Sequence, residues 1–190
     1  MPTCAKVRGI VFPHTSADQA RVPTRGIFIH SNYFVMATND RTIEVLNDLV
    51  RINNDRIEGY EKAVKETKED DADLRNVFTR MAAESRNYKT ELTEQIRRLG
   101  GDPAAGTTSS GKIYRVWMDV KSGFSGSSRK SVLEECEFGE DAAQKAYDKA
   151  LEADSELSPE VRSLVQQEKL SLKASHDTIR NYRDMQRDSR

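Results

Sequence analysis

Four segments of the chain carry apolar residues at helical spacing. In each segment the apolar positions recur every three or four residues, with charged and polar residues between them, which is the pattern of an amphipathic α-helix. Charged residues make up 32% of the chain and aromatic residues 7%, a balance that suits long solvated helices better than a sheet. The fold class is therefore predicted to be all-α, with helices over residues 40–68, 73–99, 131–153 and 159–186.

Residues typical of helix ends stand at these boundaries. Side chains with a short hydroxyl, amide or carboxyl group cap the first backbone N–H groups of a helix, and glycine ends a helix in a left-handed conformation. The predicted caps are Asn39 or Asp40 for the first helix, Gly100 and Gly101 after the second, a capping box of Ser131 and Glu134 for the third, and Ser158 with Pro159 for the fourth.

The connection between the second and third helices is long enough to run the length of a bundle. Two helices, a long connection and two further helices form the ferritin-like four-helix arrangement, with one crossover. A short amphipathic stretch around Trp117 is predicted to form a crossover helix within this connection. Five antiparallel helices are the alternative that residue spacing alone leaves open.

The start of the chain differs in character from the rest. Residues 1–37 lack helical periodicity and are predicted to be an unstructured leader, followed by a bundle domain over residues 38–187. The sequence from Met36 to Asp40 resembles a natural start that runs into a helix cap. We therefore expect Met36 to be the native first residue.

Charge and composition exclude several classes of function. The chain has 30 basic and 31 acidic residues, interspersed to a net charge of −1, so no basic surface for nucleic acid is expected. Two cysteines indicate no disulfide framework and favour the cytoplasm. No apolar run approaches the roughly 18 residues of a membrane span, so no membrane association is predicted.

Two glutamates fall on apolar faces. Glu140 lies on the apolar face of the third helix, where a leucine would be expected, and Glu168 lies between Leu164 and Leu172 on the fourth. A carboxylate on a buried face is costly unless it is paired, protonated or bound to metal. Glu140 is thus predicted to be buried beside a basic or hydrogen-bonding group, with His176 as first choice and Tyr60 or Tyr88 as second.

Carboxylates in a bundle core also raise the question of a metal. Di-iron bundles use a glutamate from each of two helices and Glu-x-x-His from each of the other two. The chain lacks Glu-x-x-His, because Asn87 follows Glu84 and Ser171 follows Glu168 at the third position. Helical rise nevertheless places four candidate ligands toward one end of the bundle. They are Glu61, Glu84, Glu140 and His176, for which a structural polar layer is the preferred interpretation.

Several motifs occur together in this chain: the run from Arg97 to Pro103 that ends the second helix, the Trp117 segment, the run from Glu135 to Asp141, and the run from His176 to Arg180. In this combination, from Thr38 to Arg183, the chain resembles a bacterial ferritin-like four-helix-bundle family catalogued as a domain of unknown function. The resemblance implies the bundle fold and no particular activity.

No pattern in the sequence predicts a catalytic or cofactor-binding residue. Acidic neighbours make Cys136 a poor nucleophile, and Ser175, His176 and Asp177 are consecutive on a helix and cannot form a triad. The leading hypothesis is a cytosolic, non-catalytic bundle without a cofactor that forms a homo-oligomer or binds a protein. The alternative is a di-metal carboxylate protein in iron or oxidative-stress handling, with iron as its cofactor. An interfacial protein that uses the Trp117 face is the third hypothesis.

Overall fold

The structure, a computed structural model, describes residues 28–107, 128–152 and 157–188 of the chain. Within these ranges all the regular secondary structure is helical, which confirms the all-α prediction. The helices are α1 (Phe28–Glu66), α2 (Ala72–Arg98), α3 (Arg129–Glu152) and α4 (Pro159–Asp188). None of these described helices combines the length and apolarity needed to cross a membrane.

The helices are packed in the order expected for a single crossover. α1 packs against α2 and α3, and α4 packs against α3 and α2. Consecutive helices α2 and α3 lie diagonally across the bundle. This is the ferritin-like arrangement of the four-helix bundle. The predicted crossover helix around Trp117 lies outside the described residues.

Helix α1 begins earlier than its sequence pattern predicts. It starts at Phe28 and runs through Asn39 and Asp40 without interruption, so the prediction that either residue is its N-cap is wrong. Neither glycine nor proline occurs from residue 28 to residue 58, whereas Gly26 lies just before the helix. Residues 28–37 of the predicted leader thus lie within this helix, and the division into leader and bundle domain stays a prediction. Residues 1–27 lie outside the described part of the chain, and the role of Met36 as the native start stays a prediction.

The predicted end of α2 and start of α4 are confirmed. Gly100 has a φ of 85°, and the N–H of Gly101 donates to the carbonyl of Ile96 at 2.9 Å, which together form a Schellman motif. At α4, the hydroxyl of Ser158 accepts a hydrogen bond from the N–H of Val161 at 3.3 Å. Both ends are determined by local hydrogen bonds, which a sequence pattern can indicate.

Helix α3 begins at Arg129, two residues before the predicted range. The hydroxyl of Ser128 accepts a hydrogen bond from the N–H of Ser131 at 3.1 Å, and the hydroxyl of Ser131 accepts one from the N–H of Ser128 at 3.0 Å. Ser131 is therefore the third residue of the helix. The prediction that Ser131 is the cap is wrong. The error arises because Ser128 offers the same capping chemistry three residues earlier.

The apolar core consists of two clusters. The first contains Leu46, Leu49, Ile96, Tyr147 and Leu172 among others. The second contains Leu74, Phe78, Met81, Leu133 and Ile179 among others. On α1, α2 and α3, polar side chains occupy the level at which one cluster gives way to the other. This level is where the candidate site lies.

Candidate functional site

The centre of the site is an ion pair between α1 and α3. Glu140 is 1% exposed and Arg56 is 2% exposed. The Nε and Nη2 groups of Arg56 both donate to Oε1 of Glu140, at 3.0 and 2.6 Å. Because the charge of Glu140 is compensated by a guanidinium hydrogen-bonded to it, its burial is physically tolerable.

Two hydroxyl groups complete this ion pair. The Tyr60 hydroxyl, one turn beyond Arg56 on α1, donates to the same carboxylate oxygen. Nη1 of Arg56 donates to the hydroxyl of Ser85 on α2 at 2.8 Å, and that hydroxyl donates to the carbonyl of Met81 at 2.9 Å. Residues of three helices are thus joined in one network. The Arg56 side chain also contacts the Tyr60 ring, with 5.6 Å between the guanidinium carbon and the ring centroid.

The ionisation of these groups follows from burial and pairing. Burial is the largest influence and alone would lower the pKa of Arg56, but the charge and hydrogen bond of Glu140 together with Tyr60 and Tyr147 raise that pKa above its ordinary value. Burial, reinforced by Glu140, raises the pKa of Tyr60 well above its ordinary value. Both shifts favour Arg56 as a cation and Tyr60 as a hydroxyl donor at neutral pH.

A second network joins α1, α3 and α4 within the first apolar cluster. The Nδ2 group of Asn53 donates to the Tyr147 hydroxyl at 2.8 Å, and that hydroxyl donates to Oε2 of Glu168 at 2.6 Å. Glu168 is 2% exposed. Burial raises the pKa of Glu168 to about 8. The two buried glutamates are thus stabilised differently, Glu140 by a cation and Glu168 by a hydroxyl group.

Each network contains a buried acceptor that lacks a donor. Among the described residues, Oε2 of Glu140, Oε1 of Glu168 and Oδ1 of Asn53 are buried without a hydrogen-bond partner. A buried acceptor without a donor costs roughly 1–3 kcal/mol. The site is therefore rich in acceptors and poor in donors.

The prediction for Glu140 is confirmed in part. Glu140 is buried and bonded, and Tyr60, a second-choice partner, is among its donors. The first choice, His176, is wrong, because its Nε2 pairs with the neighbouring Asp141 at 3.1 Å. Tyr88, the other second choice, donates to Glu84 instead.

The four candidate metal ligands lie in four different surroundings. Glu61 is 46% exposed in its side chain and pairs with Arg86. Glu84 lies between α2 and α4, where it accepts from Tyr88 and from two serines of α4. His176 pairs with carboxylates on the α3–α4 face, and Glu140 is bound to Arg56. The structure does not bring these four side chains into one set.

These surroundings do not fit a di-metal centre. Within the described residues, no three His, Cys, Asp or Glu side chains are grouped as ligands for a metal ion. The buried carboxylate of Glu140 is already bound by the guanidinium of Arg56, whose positive charge would repel a divalent cation at the same oxygen. The set of four stays a prediction without support from the geometry.

Sequence reasoning missed Arg56, the central cation of the site. Arg56 is seven residues after Leu49 and four before Tyr60, so it lies on the buried face of α1. Arginine at such a position ordinarily extends its charged end to solvent. The available signal was the coincidence of one basic residue on the apolar face of α1 with one acidic residue on that of α3.

The surroundings of Cys136 make its thiol a poor nucleophile, as predicted. Burial, together with the charges of Glu140 and Glu135, raises the pKa of the Cys136 thiol far above its ordinary value. The thiol is free. Because the thiolate is the reactive form, this cysteine has little nucleophilic character.

The chain is similar to known proteins in family and in fold. The family described as "Domain of unknown function (DUF2383)" matches residues 41–153. Among solved structures, the crystal structure of ferritin like, diiron-carboxylate proteins from Bacillus anthracis str. Ames is similar, with a TM-score of 0.58 and 17% identity, over 78% of this chain and 96% of that one. None of the curated proteins matches the sequence. The chain has a ferritin-like fold and belongs to the DUF2383 family.

Proposed function

We propose that this protein is a cytosolic, non-catalytic ferritin-like bundle that acts by self-association. The observation that carries the proposal is the ion pair of Arg56 and Glu140, 1% exposed in each side chain. In this core the carboxylate of Glu140 is neutralised by a side chain of the protein itself. The buried site then has a structural role, and function is left to the surface. The free thiol of Cys136 supports a reducing compartment.

The alternative is a di-metal role in iron or oxidative-stress handling. The similar structure from Bacillus anthracis is described as a diiron-carboxylate protein, and this likeness is what favours the alternative. The residues of this chain support it less well. Asn87 and Ser171 stand where a Glu-x-x-His pattern would place histidine, and Glu140 is bound to Arg56.

Iron content distinguishes the two roles. The full chain is purified aerobically from iron-supplemented cells, its iron is measured, and its thermal midpoint is recorded with and without added Fe(II) under anaerobic conditions. We expect substoichiometric iron and an unchanged midpoint, because a ligand that does not bind the folded state cannot stabilise it. About two iron ions per chain, together with a raised midpoint that Glu140→Gln abolishes, would overturn the non-catalytic proposal.

The outward face of α4 is the surface that favours self-association. Seven residues at a spacing of three or four follow this face, and none is charged: Ser163, Gln167, Leu170, Ala174, Thr178, Asn181 and Met185. Leu170 is 72% exposed and Met185 is 52% exposed. By contrast, the exposed face of α2 carries charges such as Arg80, Glu91 and Glu94. We refer to the seven residues as the neutral stripe.

A second copy of the chain is the partner that suits the neutral stripe. In a two-fold dimer the same surface meets itself, so a patch with a single sign of charge would repel its copy, whereas a neutral one does not. The stripe from Ser163 to Met185 spans roughly 33 Å at a rise of about 1.5 Å per residue. Two such stripes in antiparallel contact would cover both exposed apolar side chains.

Oligomeric state as a function of concentration tests this contact. Sedimentation velocity of the full chain is expected to show a dimer in the micromolar range, and Leu170→Glu is expected to raise the dissociation constant at least tenfold. The control is Ala83→Glu, which adds the same charge on the exposed face of α2 and should change nothing. A monomer at all concentrations, or equal effects of the two substitutions, would contradict the proposal.

A further inference from the structure

Glu168 is a buried acid without a bonded cation. Its Oε2 accepts a hydrogen bond from the Tyr147 hydroxyl at 2.6 Å. Its Oε1 is buried and has no hydrogen-bond partner among the described residues. The guanidinium of Arg56 is bonded to Glu140 and Ser85 and acts on Glu168 only at a distance. A carboxylate in this setting lacks the paired charge that burial requires.

The network of Glu168 also has more acceptors than donors. Asn53 donates to Tyr147 and to the carbonyl of Leu49, and Tyr147 donates its only proton to Glu168. Two acceptor oxygens, Oε1 of Glu168 and Oδ1 of Asn53, then remain without a donor among the described residues. A single proton on Oε1 of Glu168 would turn one of these two acceptors into a donor and remove the uncompensated charge at the same time.

We propose that Glu168 is a proton-binding site in the bundle core, which holds its proton at neutral pH and releases it under mildly alkaline conditions. Release leaves a negative charge inside the apolar cluster that contains Val165 and Leu172. Because no cation is bonded to Glu168 among the described residues, loss of the proton leaves a buried charge that destabilises the folded bundle. The site is independent of the proposed self-association.

The groups around Glu168 act in opposing directions on its proton affinity. Burial is the largest influence and favours the protonated form, and the charge of Glu91 acts in the same direction. The hydrogen bond from Tyr147 and the charge of Arg56 favour the ionised form. These titratable and charged groups come from each of the other helices: Arg56 from α1, Glu91 from α2 and Tyr147 from α3. Together they leave the pKa of Glu168 at about 8.

The sign of the pH dependence follows from proton linkage. An ordinary glutamate has a pKa of 4.5 and Glu168 in the folded chain one of about 8. Between these values the folded state therefore binds one more proton than the unfolded state. Below this window the contribution of Glu168 to the folding equilibrium is constant. As the pH rises through the window, the contribution decreases by up to about tenfold per pH unit, and above the window it is lost.

Denaturation of matched variants measures this contribution. Urea unfolding of the full chain is followed from pH 5 to pH 9 for wild type, for Glu168→Gln, whose amide imitates the uncharged acid, and for Glu160→Gln, an exposed control on the same helix. We expect the ratio of wild-type to Glu168→Gln folding constants to decrease by up to about tenfold per pH unit between pH 5 and pH 8. The ratio of wild type to the control should stay constant. A ratio to Glu168→Gln that does not change with pH would overturn the proposal.

Carboxyl ¹³C NMR tests the site directly, because the titration is measured on the wild-type chain. Protein labelled at glutamate Cδ is titrated, and the signal of Glu168 is assigned by its absence from Glu168→Gln or from Glu168→Asp. We expect this signal to titrate between pH 7 and pH 9, well above the range of an ordinary glutamate carboxyl. If every glutamate signal titrates below pH 6, Glu168 carries no proton at neutral pH and the proposal is wrong.

Discussion

The ion pair of Arg56 and Glu140 allows a quantitative prediction. The free energy of unfolding should decrease much more when one buried charge is removed than when both are removed. The substitution Arg56→Met removes the two hydrogen bonds to Glu140, of 3.0 and 2.6 Å, and the one to Ser85, of 2.8 Å. It leaves the Glu140 carboxylate in the core without its cation. Breaking a buried pair on one side costs about 3–5 kcal/mol. We expect this loss in the free energy of unfolding.

The converse substitution Glu140→Leu should cost a similar amount. It leaves the guanidinium of Arg56 buried without a carboxylate, and only the Ser85 hydroxyl remains as a partner. Since domains of this kind are stable by about 5–15 kcal/mol, either single substitution removes a large share of the total. The protein should remain folded in dilute buffer but unfold at markedly lower urea concentration.

The double variant Arg56→Met/Glu140→Leu should be far more stable than the sum of the two losses suggests. Both charges are then absent, and apolar side chains of similar size lie between the two apolar clusters. The remaining penalty is the Tyr60 hydroxyl, which loses its acceptor at a cost of roughly 1–3 kcal/mol. Replacing a buried pair by apolar residues is otherwise neutral or stabilising by about 1–4 kcal/mol. We therefore expect the double variant to lie within about 2 kcal/mol of wild type.

The assay is urea denaturation of the four proteins of the cycle, followed by circular dichroism at one pH and ionic strength. The exposed pair of Glu61 and Arg86 is the control, and its own cycle should give a coupling below about 1 kcal/mol. If the two losses at Arg56 and Glu140 add in the double variant, the charges are not interdependent and the reasoning fails. The same follows if either single substitution costs less than about 1 kcal/mol.

Three further predictions concern local structure. Gly100→Ala should destabilise the protein by about 1 kcal/mol, because φ is 85° at this position. Gly59→Ala within α1 should stabilise it by up to about 1 kcal/mol, because an added Cβ has free space there. Thermal denaturation of both variants tests the two predictions. Leu172→Ala should cost about 2–5 kcal/mol at a fully buried site, and Leu170→Ala less than about 0.5 kcal/mol at an exposed one, as urea midpoints will show. Tyr147→Phe removes one hydroxyl that bonds on both sides and should cost about 1–3 kcal/mol in the same assay.

A large part of the fold could be predicted from the sequence because it depends on neighbours along the chain. Helical spacing identified all four helices, and capping chemistry identified the end of α2 at Gly100 and the start of α4 at Ser158. The same local reasoning failed at the start of α1 and at Ser131. At α3 another serine three residues upstream provides the cap, and local signals rank such alternatives poorly.

The burial of Glu140 was also predictable, since it follows from the position of one residue on one helix face. Its cationic partner was not. Arg56 is 84 residues away in sequence, and the pairing requires α1 and α3 to be neighbours with both residues at the same level. Periodicity specifies neither condition. His176, the first-choice partner in the prediction, instead pairs its ring with Asp141 on an adjacent face.

The sequence alone determined that carboxylates would enter the core of a four-helix bundle, because the apolar period of each helix decides which residues it buries. Only the tertiary structure decided how each one is stabilised. Glu84 on α2 reaches a half-buried set of hydroxyl groups, whereas Glu168 on α4 is buried against Tyr147. Pairing, protonation and metal binding depend on distances of a few ångströms between side chains of different helices. Those distances are set by how the whole bundle packs.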